Sequence, residues 1–155
     1  MIELTKTIHA DLETLFEFQT NKDGIWMAAF TQENPTDKEF YMNKWTKIVA
    51  NPEINMQTIR LENIIIGSVA HFDIMGETNI SYWIDQPYWG KGLATLALKM
   101  FLKNAVIRPL FARVAFDNFG SQRVLEKCGF KTIGKDKGFA NARNMEIEEF
   151  IYQLI

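Results

Sequence analysis

The sequence holds a single cysteine, Cys128, so it can form no internal disulfide and no zinc site built on a cysteine cluster. Long apolar runs are missing as well: no stretch reaches the roughly 18 residues that a membrane-spanning helix requires. Charge of one sign is not in excess, with 17 basic against 19 acidic residues and a formal net charge of −2. That balance supplies no general field for holding nucleic acid or an anionic membrane, and neither is expected as a partner. The opening Met1-Ile2-Glu3-Leu4-Thr5 lacks the basic start and apolar run of a secretory leader, so a cytoplasmic protein is expected. Hydrophobic residues at 47% and charged residues at 23% exclude a disordered or fibrous chain, and 155 residues suit one domain over 1–155. What is plentiful is aromatic: 13% of residues, with four tryptophans and twelve phenylalanines. They imply a dense core, an aromatic-lined pocket, or both.

The order of elements is mixed. Residues 2–8 suit a strand, and 11–18 a helix that turns Leu12, Leu15 and Phe16 to one face, with acids in its first turn. Asn21-Lys22-Asp23-Gly24 breaks that helix, and Ile25-Trp26-Met27-Ala28-Ala29-Phe30 follows as an unusually apolar link. A second helix is expected over 35–50, capped by Asn34 with Pro35 in the first turn. Residues 57–62 and 64–72 form a hairpin about Glu62-Asn63, and 78–84 a third strand after the turn at Met75-Gly76-Glu77. A helix over 92–107 places Leu93, Leu96, Ala97, Met100 and Phe101 inward, and Pro109 ends it. A strand over 110–116, a helix over 118–128 and strands over 131–135 and 145–154 close the chain. The strand-helix-strand-helix unit at 78–128 calls for a right-handed crossover.

Two segments carry chemistry. In the first, the strand ending at Asp85-Gln86-Pro87 runs into Gly90-Lys91-Gly92, which opens a helix. Glycines there let backbone approach a ligand, and the free N–H groups of a helix start attract anions, phosphates above all. Lys91 adds a positive charge. Alternatively the loop needs glycine for its conformation alone. The P-loop pattern fails because Gly92 follows Lys91. The dinucleotide fingerprint fails because Thr95 stands where its third glycine belongs. The second segment, Asp117-Asn118 to Gly129-Phe130, begins with capping residues and ends on a glycine suited to a left-handed cap, with Phe130 packing back on Leu125. Ser121, Val124, Leu125 and Cys128 share a helical face. Cys128 needs no role beyond that of a small hydrophobe.

Together the segments resemble the GNAT superfamily of acetyl-CoA-dependent N-acyltransferases. Trp89-Gly90-Lys91-Gly92-Leu93-Ala94 stands at the place of that family's pyrophosphate loop, and Asn118, Ser121, Val124, Leu125, Gly129 and Phe130 follow its second signature. The spelling is close to the branch of ribosomal-protein-alanine N-acetyltransferases. The resemblance implies an α/β (α+β) fold: a mixed, mostly antiparallel sheet with a splayed parallel strand pair and about four flanking helices. It implies acetyl-CoA as cofactor and an amine acceptor, either a protein N-terminus or a small molecule, on a monomer or homodimer without a metal. The backbone N–H of Tyr82 would face the acyl oxygen and Ile84 would pair with the pantetheine amides, as a pseudo-strand adds to a sheet edge. Amides from Gly90 through Lys91, Gly92, Leu93 and Ala94 to Thr95 would hold the pyrophosphate, and Asn118 the pantetheine arm. Trp89 replaces the family's usual Gln or Arg, and Leu125 stands where many relatives carry a tyrosine that protonates the leaving thiolate.

An amine attacking a thioester needs a neutral nucleophile, a stabilised oxyanion and a stabilised leaving thiolate. With Leu125 at the tyrosine position, Ser121 becomes the candidate for the sulfur, as a hydrogen-bond donor. His71 is a candidate base on a strand face shared with Asp73. Asn79 stands where many relatives carry a glutamate. Trp26, Met27, Phe30 and Tyr41 form a candidate acceptor wall, with 138–143 as the opposing loop. Two other readings stay open: a non-catalytic acyl-CoA-binding module, and a nucleotide-binding protein with an irregular phosphate loop.

Overall fold

Strand and helix periods alternate along the chain, and the computed structural model, which describes residues 1–105 and 107–155, folds them around one seven-stranded sheet. Its strands are β1 (Ile2–Lys6), β2 (Asn55–Leu61), β3 (Ile64–Ile74), β4 (Glu77–Ile84), β5 (Leu110–Ala115), β6 (Lys131–Ala140) and β7 (Met145–Leu154), in the order β1-β2-β3-β4-β5-β7-β6. Every neighbouring pair is antiparallel except β4 and β5, which are parallel and registered at Asn79 opposite Phe111. The β2–β3 hairpin turns at Glu62 and Asn63, both left-handed at φ 50° and 67°, the conformation a two-residue turn needs to match strand twist.

The helices are α1 (Leu12–Phe18), α2 (Lys22–Ala28), α3 (Lys38–Ala50), α4 (Leu93–Asn104) and α5 (Phe119–Lys127). Strand alternation divides the interior. Val69, Ile80, Ile84 and Ala112 pack with Ala97, Leu98 and Phe101 of α4 and Leu125 of α5. Met56 and Ala70 pack on the other face with Leu12, Leu15 and Phe16 of α1 and Tyr41 of α3. Burying these side chains is the main stabilising term, at roughly 1.5–3 kcal/mol for each large one.

Several expectations change. The link over 25–30 is mostly the helix α2, so the described residues hold five flanking helices where about four were expected. The Asn21 side chain caps it by accepting from the Gly24 N–H at 2.8 Å. Gly24 is required by packing, since a Cβ there would sit 2.9 Å from Trp83 Cζ2. Helix α3 begins at Lys38, capped by Asp37 through the Phe40 N–H at 3.0 Å, because Asn34 spends its side chain on Thr36. In α4 Leu98 is buried and Leu96 is exposed, and the helix ends at Asn104; Val106, inside the expected 92–107 span, lies outside the described residues. Strand β1 stops at Lys6, and β6 runs on to Ala140, paired with β7 throughout. The Gly129 cap holds: its φ is 93°, and the Phe130 N–H returns to the Leu125 carbonyl at 3.0 Å.

Candidate functional site

Antiparallel pairing decides which backbone groups of β4 are spent. The Asp85 N–H donates to the Ile66 carbonyl at 2.8 Å, and Ser68 lies opposite Trp83. Bonding therefore alternates, so Trp83 and Ser81 use their peptide groups on β3 while Tyr82 and Ile84 turn theirs toward β5. Beyond Asn79 and Phe111 the β4–β5 ladder opens, and those peptide edges face a gap in the sheet.

A cleft of about 1180 Å³ runs through that gap. Its lining comes from both sheet faces: Tyr82 and Ile84 on the α4–α5 side, Ser81 and Phe72 on the α1–α3 side. At one end lies the start of α4. Gly90 and Gly92 are left-handed, at φ 74° and 75°, and a Cβ on either would meet nothing within 4 Å. Glycine is thus needed for the backbone angle, and the space beside it is open to a ligand. The first bond of the helix runs from the Leu96 N–H to the Gly92 carbonyl at 3.1 Å, which leaves the N–H groups of Leu93, Ala94 and Thr95 at the positive end of the dipole. Such an end, with no side chain crowding it, suits a pyrophosphate.

Trp89 anchors this loop, its indole N–H donating to the Ile84 carbonyl at 2.7 Å. Lys91 stands outside the cleft lining with its ammonium 5.9 Å from the Tyr88 ring centre. Asn118 caps α5, accepting from the Ser121 N–H at 3.2 Å, while its amide donates to the Met27 carbonyl at 3.2 Å and so ties α5 to α2.

The central contact joins residues 39 apart in sequence. Tyr82 Oη and Ser121 Oγ lie 2.6 Å apart within the cleft lining. Burial pushes the Tyr82 phenol up to about 12, against the opposing effect of the Ser121 hydrogen bond. The phenol therefore stays protonated at neutral pH and can donate to Ser121, leaving the Ser121 proton free to point into the cleft. Sequence reasoning used only the Tyr82 backbone and missed its hydroxyl; the alternation that sets Tyr82 beside Ile80 and Ile84 was the available signal.

His71 is not brought to this point. It faces α4, edge-on to Phe101 at 5.9 Å between ring centres, and does not line the cleft. Burial lowers its pKa, with a smaller opposing effect from Asp73. Of the candidate acceptor wall, Met27, Phe30 and Tyr41 line the cleft, whereas Trp26 lies outside it under the Arg143 guanidinium, 4.3 Å from the ring centre. The β6–β7 turn docks on α2: the Ala142 N–H donates to the Ala29 carbonyl, Asn141 to the Thr31 carbonyl, and Arg143 Nε to the Trp26 carbonyl.

A family model described as the acetyltransferase (GNAT) domain matches residues 2–131. Solved structures share the fold. An acetyltransferase of the GNAT family from Bacillus anthracis is 22% identical, covering 99% of this chain and 94% of that one at a TM-score of 0.81. The ribosomal-protein-alanine N-acetyltransferase from Brucella melitensis is 17% identical, with 99% of each chain covered and a TM-score of 0.82. The microcin C7 self immunity acetyltransferase MccE, in complex with acetyl-CoA and AMP, is 22% identical, with 99% and 92% covered and a TM-score of 0.78. No curated protein matches the chain. Among the described residues no helix is long and apolar enough to cross a membrane.

Proposed function

The chain belongs to the GNAT acetyltransferase family, and from that membership we propose that it moves an acetyl group from acetyl-CoA to a primary amine by direct attack. The observation that carries this is one cleft holding both the glycine-edged start of α4 and the Tyr82–Ser121 pair. Bound acetyl-CoA supplies the activated thioester.

The amides from Gly90 to Thr95 hold its pyrophosphate with the dipole of α4 behind them, and Lys91 adds charge at the rim. Trp89 keeps that loop against the end of β4. Ile84 offers its N–H to the pantetheine amides, and the Tyr82 N–H faces the acyl oxygen, where a fixed dipole stabilises developing negative charge. Asn118 borders the pantetheine arm and, through its cap, fixes the start of the helix that carries Ser121. Ser121 donates to the departing sulfur while Tyr82 donates to Ser121 Oγ, which takes the place of the tyrosine absent at Leu125. A substrate amine that arrives neutral attacks without prior deprotonation, and the proton its nitrogen sheds as the amide forms ends on the departing sulfur to give free CoA thiol, so His71 is not required as a dedicated base.

Ser121→Ala is expected to lower kcat by roughly tenfold or more while leaving the Kd for CoA nearly unchanged. Unchanged turnover would remove Ser121 from the mechanism. Thermal shift separates the nucleotide-binding alternative, because a ligand stabilises the state it binds: CoA is expected to raise the Tm above ATP or NAD at equal concentration, and the reverse order rejects the proposal.

A further inference from the structure

One hydroxyl group on the α1–α3 side of the cleft, that of Tyr41, has no protein partner among the described residues. Tyr41 is 2% exposed and lines the cleft, and burial alone acts on its phenol, pushing its pKa up. The Tyr41 oxygen still reaches the cleft space, where water or a ligand group must serve as its partner. Tyr41 cannot swing out to find one. Its ring is held between Phe16 and Trp45, with centres 5.1 and 5.6 Å away.

The surroundings limit what the ligand can be. Phe18, Phe30 and Phe72 line the cleft with Trp45 and offer ring faces and edges. The carboxylates nearby are engaged: Glu149 accepts from Arg113 at 2.7 Å, and Asp73 accepts from the Thr78 hydroxyl at 2.8 Å. An aromatic ring finds both apolar walls and the Tyr41 hydroxyl here.

Resting on the acetyl-transfer reading above, we infer that the acceptor is a primary amine joined through a short alkyl chain to an aromatic ring with a hydrogen-bonding substituent, and that Tyr41 recognises that substituent. The ring can belong to a free amine or to the first residue of a peptide.

The test compares tyramine, phenethylamine, spermidine and the peptide Tyr-Gly-Gly as acceptors for the intact enzyme with acetyl-CoA, reading acetylated product by mass. Tyramine or the tyrosyl peptide is expected to exceed phenethylamine in kcat/KM by about tenfold, one hydrogen bond's worth. Whichever of the two leads assigns the source of the ring. Tyr41→Phe keeps the ring packing and is expected to bring the tyramine-to-phenethylamine ratio close to one, with an unchanged melting curve as the folding control. Equal rates for the two amines in the native enzyme, or a ratio that survives Tyr41→Phe, overturns the inference. Acetylation of spermidine alone overturns the acceptor class but leaves acetyl transfer standing. Acetylation of none of the four, with CoA still bound, overturns this acceptor class, and thiol release with other amines then decides whether acetyl transfer itself stands.

Discussion

Replacing Arg143 by alanine removes the clasp that joins α2, the β6–β7 turn and the segment leading into α5. The guanidinium donates to both Asp117 oxygens, at 2.7 and 2.9 Å, and its Nε donates to the Trp26 carbonyl at 2.9 Å. The Arg143 side chain is 4% exposed and that of Asp117 is 29% exposed, so the stranded carboxylate would recover part of its hydration. That places the loss of the pair near the low end of the 3–5 kcal/mol typical of a broken buried pair, or below it. The bond to the Trp26 carbonyl adds about 1 kcal/mol and the contact with the Trp26 ring about 0.5–1 kcal/mol. Because these terms share one side chain and do not add fully, about 3 kcal/mol is expected. For a chain of this size that is a Tm drop of about 6–12 °C. Urea unfolding followed by circular dichroism measures it. Arg143→Lys should recover less than half, since an ammonium cannot form the two-pronged contact. The loosened α2 wall should also raise the acceptor KM more than the acetyl-CoA KM. A loss below 1 kcal/mol for the alanine variant would refute the clasp.

Two further outcomes follow from packing and protonation. Gly67→Ala should prevent stable folding or cost more than about 3 kcal/mol, because the new Cβ would lie 2.0 Å from the Trp83 carbonyl oxygen between β3 and β4; a near-native urea midpoint would contradict the register. His71 has a folded pKa below the usual 6.5, so the unfolded chain binds the extra proton as the medium turns acid. Stability should therefore hold above pH 6.5 and fall as the pH drops from there toward the folded value, and His71→Gln should flatten that slope. An equal slope in the variant would assign the effect elsewhere.

Much of the fold was legible because its signals are local. The hairpin about Glu62-Asn63, the Gly129 cap and the glycine loop before α4 each depend on a few adjacent residues. Helix α2 was hidden because Gly24, a helix breaker by propensity, is demanded by a tryptophan 59 positions away. The start of α3 was misplaced because Asn34 and Asp37 are both good caps, and only the contacts of Asn34 with Thr36 show which is free. The site divides the same way. The phosphate end lies in one continuous stretch, whereas the Tyr82–Ser121 contact and the Arg143–Asp117 clasp join separate elements: alternation gives the side of the sheet that Tyr82 faces, and no spacing gives the residue it meets. The aromatic surplus is now apportioned: Phe16 and Phe101 belong to the core, while Phe30, Tyr41 and Trp45 border the cleft.

Amine-dependent release of free CoA thiol from acetyl-CoA, followed with a thiol reagent across an amine panel, bears most directly on the central claim. The account predicts thiol release that rises with amine concentration, saturates, matches the acetylated amine formed mole for mole, and falls in Ser121→Ala. Tight binding of acetyl-CoA with no thiol release above the amine-free rate would contradict it and make the chain a binding module.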